Sequence, residues 1–185
     1  MEALQSVQRE PIADGLAMHA IRMIYRYLPV CTENGEDLAA RGQVQIAATM
    51  AGWAFGNAMV GLVHAMAHSL GAVARVPHGI ANGILLPHVM AFNLDDTTES
   101  YAMAAEALGV REKGADDRAA AEAAIAEIRS FLKRIGHPER LSAVGVTEAD
   151  LAKAAALSLS DGAIVNNPRW VIDAGEVLAV YRTAF

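Results

Sequence analysis

The chain has 185 residues, of which 54% are hydrophobic and 19% charged, and its formal net charge is −6. This length and composition fit one globular domain, and a net negative charge without a Lys/Arg cluster excludes a nucleic-acid surface. The single cysteine, Cys31, forms no internal disulfide and no leader-like segment opens the sequence, so we expect a cytoplasmic protein.

The first part of the chain predicts two long helices. Pro11 to Leu28 has Pro at an opening position and apolar residues at spacings of three and four, which predicts an amphipathic helix that ends at Pro29. Asn34-Gly35 follows as a turn. From Asp37 to Phe55 apolar and small side chains occur on nearly every side, which predicts a central, buried helix that breaks at Gly56-Asn57.

A long segment of the chain is almost free of charge. Between Arg41 and Asp95 the only formal charge is Arg75, and we expect a run this poor in charge to be buried by its neighbours. Its length raises the question of a membrane span. Polar side chains and glycines interrupt it, so we predict buried helices and no membrane partner.

Four of the six histidines lie between Gly61 and His88, inside this segment. His64 and His68 are four residues apart, so a helix presents both rings on one face. His78 stands between Pro and Gly, which predicts a helix start or tight connection that folds a third ring back toward them. Convergent neutral imidazoles suit a divalent transition metal. The alternative for each ring is a core histidine bonded to a carbonyl, and spacing alone leaves both open.

Two familiar metal chemistries are excluded by the residues beside these histidines. The zinc-protease pattern needs a Glu directly after the first His, where this chain has Ala65. Di-iron bundles need Glu-x-x-His pairs, and no Glu stands three residues before any of the four histidines.

The rest of the chain also predicts helices. They span residues 80–93 with a bend at Pro87, 97–108, 115–135, 150–158 and 171–181, and a polar loop at 160–169 is expected to border a pocket. We expect Asn82 to orient the His78 ring, His88 to be a core or supporting residue at the bend, and His137 to lie in a solvated turn. No segment alternates with period two, so the fold class is all-α.

Three motifs carry a resemblance to a known family. Gly61 to His68, Pro77 to Asn82 and Leu86 to Met90 together resemble the second signature of the iron-containing (group III) alcohol dehydrogenases. Asn57-Ala58, Asn167-Pro168-Arg169 and Val177 to Tyr181 are similar to the same family, so the resemblance covers nearly the whole chain.

The resemblance implies a fold and a set of roles. The fold is the C-terminal, dehydroquinate synthase-like helical bundle of an NAD- or NADP-dependent enzyme that interconverts an alcohol and an aldehyde or ketone. The implied metal ligands are His64 and His78, with Fe²⁺ expected before Zn²⁺. His68 is implied as a catalytic residue that contacts substrate or passes a proton, and Phe55 as a substrate-binding residue, although plain core packing is an equal alternative for Phe55.

One departure from the family limits the expected activity. The family supplies an Asp and a His four residues later from a helix that ends at a pair like Glu2-Ala3, so these ligands are expected before Met1. Asp14 and His19 are five apart and cannot replace them on one helix face. We also expect this chain to lack the family's nucleotide-binding half, since no Gly-x-Gly-x-x-Gly follows a strand.

We therefore predict that residues 1–185 form a single helical metal- and substrate-binding domain that is inactive alone. Without the nucleotide-binding half, an apolar surface is expected to cause self-association. Two other readings remain open. One is a non-catalytic helical module for protein contacts with a vestigial site, and the other is a structural zinc domain closed by His64, His68, His78 and His88.

Overall fold

A computed structural model describes all 185 residues as nine α-helices without a strand, which confirms the all-α prediction. The helices are α1 (Glu2–Gln5), α2 (Pro11–Glu33), α3 (Leu38–Ala58), α4 (Leu62–Ala74), α5 (His78–Asn93), α6 (Thr98–Leu108), α7 (Asp117–Arg134), α8 (Glu148–Ser158) and α9 (Ala174–Thr183). Short 3-10 turns occupy Leu94–Asp96, Ser142–Val144 and Gly162–Asn166.

Helix α5 lies between two apolar cores. On one side Ile84, Leu85 and Val89 pack with α4, α8 and α9, where the buried Tyr181 donates a hydrogen bond to the Met66 carbonyl. On the other side the core joins α1, α2, α6 and α7, with Met90 from α5. The helix that begins at His78 is thus fixed on both faces, which gives that residue a rigid support.

Several helix ends follow the local signals of the sequence. Thr147 and Asp150 form the expected capping box at the start of α8. Gly109 ends α6 in the left-handed conformation, with φ 75°. These contacts satisfy backbone groups that a helix end leaves without intrahelical partners.

The predicted ends of α2 and α3 were wrong. Helix α2 continues through Pro29 to Glu33, because packing of the α2–α3 hairpin offsets the one backbone hydrogen bond that proline removes. Helix α3 continues through Asn57, whose side-chain amide donates to the Trp53 carbonyl at 2.7 Å. Helix α3 ends at Ala58, because the next residue, Met59, has φ 66° and leaves the helical region.

The prediction that α3 is buried was also wrong. Its buried residues are four alanines, Ala40, Ala47, Ala54 and Ala58, and the first three are separated by seven positions. Ile46 is 51% exposed and Trp53 is 65% exposed. Low charge indicates that a helix tolerates burial, but only the neighbouring elements decide which of its faces are covered.

No single helix of the structure is long and apolar enough to cross a membrane. Helices α3 and α4 reach that length and composition only when they are taken together, and they are bent by 106° at the break between them.

Candidate metal centre

Three histidine rings meet where α4 and α5 face each other. His64 and His68 project from α4, and Arg75, with φ 56°, ends that helix in a left-handed turn that brings α5 back. His78 is the first residue of α5. Its ring centroid lies 5.1 Å from that of His64 and 5.3 Å from that of His68, and the first two rings are 5.8 Å apart. The expected convergence of the three rings is therefore observed.

The surroundings keep the third ring neutral. Burial lowers the pKa of His78 below its ordinary value, and the neighbouring His64 and His68 lower that pKa further. A neutral imidazole has one nitrogen with a free lone pair near neutral pH. The ring is thus in the form that a cation would need.

A carboxylate from the far N-terminal end of the chain holds His64. Glu2 is only 6% exposed, and its Oε1 accepts hydrogen bonds from the backbone N–H groups of Gly61 and Val63, both at 2.9 Å. Its Oε2 contacts Nδ1 of His64. The side chain therefore satisfies two donors at the start of α4 and fixes the first ring of that helix.

A second carboxylate holds His68. Asp161 Oδ2 lies 2.8 Å from His68 Nδ1, and its Oδ1 accepts the Ala163 N–H at 2.8 Å. Burial by itself would raise the pKa of Asp161, but the hydrogen bonds with Ala163 and His68 outweigh it and leave the pKa below its ordinary value. Asp161 therefore remains an anion beside a ring that is 45% exposed to solvent.

The amide of Asn82 contacts His78 one helical turn away, as expected. Asn82 Nδ2 lies 3.0 Å from His78 Nε2 and 2.9 Å from the His78 carbonyl oxygen. The Oδ1 atom of Asn82 is buried without a hydrogen-bond partner. The contact orients the ring of His78 through Nε2, whereas the two carboxylates act through Nδ1 of the α4 rings.

An apolar cavity of about 230 Å³ opens beside His64. Phe55 and Asn82 line it together with Leu86 and with alanines of α2 and α3. The Phe55 ring centroid is 6.3 Å from that of His64, and the side chain is 44% exposed. Phe55 therefore lies at the cavity and is not an ordinary core residue.

Two other histidines lie apart from the three rings. His88 Nδ1 bonds Thr183 Oγ1 of α9 at 2.8 Å, and the ring borders different cavities. A closed site of four histidines is therefore not formed. The ring of His137 packs against Gly83 of α5, so the prediction of a solvated turn was wrong. The absence of a side chain at Gly83 leaves room for that ring.

The donors present fit a transition-metal ion in chemistry but supply only part of a coordination sphere. Metal-bound histidines commonly donate their other ring N–H to a carboxylate, which is the arrangement of His64 with Glu2 and of His68 with Asp161. No group of three His, Cys, Asp or Glu side chains has the geometry to hold one ion. A closed structural site needs four donors.

The sequence analysis missed both carboxylates. Glu2 was noted only as part of a resemblance, because its contact with His64 spans 62 positions. Asp161 lies in the polar loop that was expected to border a pocket, but nothing in the sequence pairs it with His68. The only local signal was that Asp161 is an acidic residue in a loop expected to border a pocket.

Comparisons with known proteins agree with this geometry. A sequence profile described as "Fe-containing alcohol dehydrogenase family, C-terminal" matches residues 1–185. The chain is 43% identical over its whole length to 1,3-propanediol dehydrogenase of Klebsiella pneumoniae and covers 48% of that protein. It is 40% identical over 169 residues to NAD-dependent methanol dehydrogenase of Bacillus methanolicus, covering 91% of this chain and 44% of the relative.

Solved structures give the same result. A crystal structure of 1,3-propanediol oxidoreductase superposes on the whole chain with a TM-score of 0.96 at 42% identity, and an alcohol dehydrogenase from Oenococcus oeni does so with a TM-score of 0.95 at 33% identity. The chain covers 48% of each of these structures. It spans about half the length of the curated relatives it matches.

Proposed function

The chain belongs to the Fe-containing alcohol dehydrogenase family, and on that premise we propose that it is the metal-binding half of a dehydrogenase. The complete protein would interconvert a small alcohol and an aldehyde or ketone by hydride transfer, with NAD or NADP as the acceptor. The names of the relatives support this reaction class, since one is called an NAD-dependent methanol dehydrogenase.

The observation that carries the proposal is the cluster of three imidazoles beside an apolar cavity. His78 lies within 5.1 Å of His64, centroid to centroid, although the two rings come from different helices. Burial and the neighbouring His64 and His68 lower the pKa of His78, which disfavours a proton on that ring and favours a lone pair that a cation can use. Core packing alone does not explain why three imidazoles converge beside an apolar cavity.

The positions of these residues support a role for each. We propose that His64 and His78 hold a divalent metal, Fe²⁺ before Zn²⁺, and that His68 contacts the substrate. A bound divalent cation supplies Lewis-acid stabilisation of an alkoxide, and the nicotinamide cofactor supplies the redox chemistry. The His68 ring is 45% exposed and is paired with Asp161, which supports a role in accepting a proton from the alcohol at Nε2. Phe55 and the alanines around it exclude water from the apolar end of the substrate.

Several features of the complete protein belong to the same proposal. A nucleotide-binding half would provide the cofactor site and further donors to the metal, and the protein would work in the cytoplasm. The isolated 185-residue chain is expected not to oxidise alcohols above the level of its His64→Ala variant. Its exposed apolar side chains on α3 support self-association.

The metal assignment is tested by cation affinity in the complete protein. We expect His64→Ala and His78→Ala each to weaken Co²⁺ or Zn²⁺ binding by more than about 100-fold, above the roughly 10–100-fold effect of losing a supporting group. Isothermal titration with a competing chelator measures this. His68→Ala should retain the cation and lower kcat for alcohol oxidation by about 10²–10⁴-fold, the usual contribution of general acid–base catalysis.

His88→Ala is the matched control, because that ring lies in the same pair of helices but bonds Thr183 and should leave cation affinity within a few-fold of the parent. Equal losses in all four variants would favour a purely structural metal domain. No loss in any variant would contradict the dehydrogenase assignment of this site.

A further inference from the structure

The three rings of the cluster are not held in the same way, and His64 has the most enclosed support. Building on the proposed metal site, we infer that Glu2 is a positioning residue that selects the tautomer of His64. In that tautomer Nδ1 carries the proton and donates it to Glu2, while the lone pair of Nε2 remains free for a cation. Glu2 acts on the cation through His64 and is not itself a ligand of it.

The hydrogen bonds around Glu2 leave only one role for each of its oxygens. Oε1 already accepts the N–H groups of Gly61 and Val63 at 2.9 Å each. An ionised carboxylate has no proton to donate, so the contact between Oε2 and the His64 ring requires a proton on Nδ1. A neutral imidazole carries one N–H, and the other nitrogen is then an acceptor.

Burial and the start of α4 make the arrangement rigid. The Glu2 side chain is 6% exposed, so water does not compete for its oxygens, and the positive end of the helix dipole favours a negative charge there. Gly61 allows the approach, because a Cβ at that position would lie 3.3 Å from Glu2 Oε1 and 3.2 Å from Asn167 Oδ1. The carboxylate therefore has one geometry, and His64 is held in the tautomer that this geometry requires.

The substitution Glu2→Gln keeps the hydrogen bonds at the start of α4 but changes the tautomer of His64. A glutamine oxygen still accepts the two backbone N–H groups, but its NH₂ group then faces Nδ1 of His64 and needs an acceptor there. The proton of the imidazole must move to Nε2, where it blocks cation binding. In the complete protein we expect Co²⁺ or Zn²⁺ affinity to fall by about 10–100-fold.

The ring nitrogens report the change directly. Two-dimensional ¹⁵N NMR of the apoprotein should assign His64 to the Nδ1–H form in the parent and to the Nε2–H form in Glu2→Gln. Such a switch is not produced by a general loss of stability. Glu10→Gln is the matched control, since Glu10 caps α2 through the Ile12 and Ala13 N–H groups and lies at no histidine. It should change neither the tautomer nor the cation affinity.

If the Glu2→Gln variant does not fold, the His64 tautomer measured in the parent protein still tests the inference. An Nε2–H form of His64 in the parent apoprotein would overturn it, as would a Glu2→Gln protein whose tautomer and cation affinity match the parent. Failure of the proposed function gives a different result. In that case the parent binds no divalent cation, while the His64 tautomer remains measurable and still answers whether Glu2 sets it.

Discussion

At the scale of single residues, the site depends on which nitrogen of each imidazole is already bonded. Glu2 and Asp161 contact Nδ1 of the two α4 rings, so both leave Nε2 available. Asn82 instead contacts Nε2 of His78. The Nδ2 group of Asn82 also donates to the His78 carbonyl oxygen at 2.9 Å, so turning the amide over would set two oxygens against each other, and the contact favours a His78 ring whose Nε2 accepts.

His88 gives the chain a predictable response to acid. Burial lowers its pKa to about 4, and the nearby Arg129 and Arg140 add to the effect. Between pH 6.5 and 4 the unfolded chain therefore binds a proton that the folded chain does not, so stability is complete above pH 6.5 and falls as the pH drops toward 4. Because the ring is partly exposed, we expect a loss of about 1–2 kcal/mol in the free energy of unfolding, below the full value of the shift.

The substitution His88→Gln tests this response, since glutamine keeps an N–H donor for Thr183 and does not titrate. Urea unfolding at pH 7 and at pH 4.5 should show about 1–2 kcal/mol less pH dependence than in the parent. His19→Gln on the exposed side of α2 serves as the control. An unchanged pH dependence in His88→Gln would contradict the assignment.

At the scale of helices, two contacts set how α5 meets the rest of the chain. Helix α7 ends at Arg134 and is followed by Gly136, with φ 72°, and the His137 N–H bonds the Leu132 carbonyl, which is a Schellman arrangement. This end places the His137 ring on α5, where only a glycine leaves space. On the other side, Asn167 and Asn93 exchange two amide hydrogen bonds at 2.8 and 2.9 Å, which join the loop before α9 to the end of α5.

The contact at Gly83 predicts that Gly83→Ala destabilises the parent protein but stabilises a protein that also carries His137→Ala. In the parent, Gly83→Ala should reduce the free energy of unfolding by about 1–3 kcal/mol, because the new Cβ overlaps the His137 ring. In a His137→Ala background the same change should stabilise by about 0.5–1 kcal/mol, the usual advantage of Ala over Gly within a helix.

Denaturant titration of the parent, the two single variants and the double variant gives the coupling energy between positions 83 and 137. Gly52→Ala in α3 is the control, since a Cβ there meets nothing within 4 Å and should stabilise in either background. Additive effects of Gly83→Ala and His137→Ala on the free energy of unfolding would contradict this prediction, because they would show that the His137 ring moves aside without loss of stability.

At the scale of the whole molecule, two cores meet along α5 while one face of the α2–α3 hairpin remains uncovered. Helix α3 contributes only an alanine stripe to the interior and presents Leu38, Ile46 and Trp53 to solvent. Trp170 and Ile172 are also exposed, at 85% and 81%. Apolar side chains in such numbers on a surface favour association.

We expect the chain of 185 residues to self-associate through the α3 face. Burying a tryptophan removes roughly 150–250 Å² of apolar surface from water, so Trp53→Glu should weaken association by more than about tenfold. Sedimentation equilibrium over a range of concentrations measures this. Leu157→Glu, on the surface of α8, is the control and should leave association unchanged. A parent chain that remains monomeric at high concentration would contradict the expectation.

Local chemistry made a large part of this structure predictable. The periodicity of α7, the capping box at Thr147 and the Pro-His-Gly start of α5 each depend on residues within one or two turns, so the helices and the i, i+4 histidine pair follow from neighbours in the chain. Motif spacing also indicated the family, which the profile match over residues 1–185 confirms.

The sequence by itself therefore determined the all-α class, the family and the three histidines that face one another. Only the tertiary structure decided which faces are covered and which side chains hold those rings. Glu2 meets His64 across 62 positions and Asp161 meets His68 across 93. Such contacts arise from the packing of α1, α4 and the loop before α9. Short-range patterns carry no information about them, because the energy that forms them comes from burial of surfaces far apart in the chain.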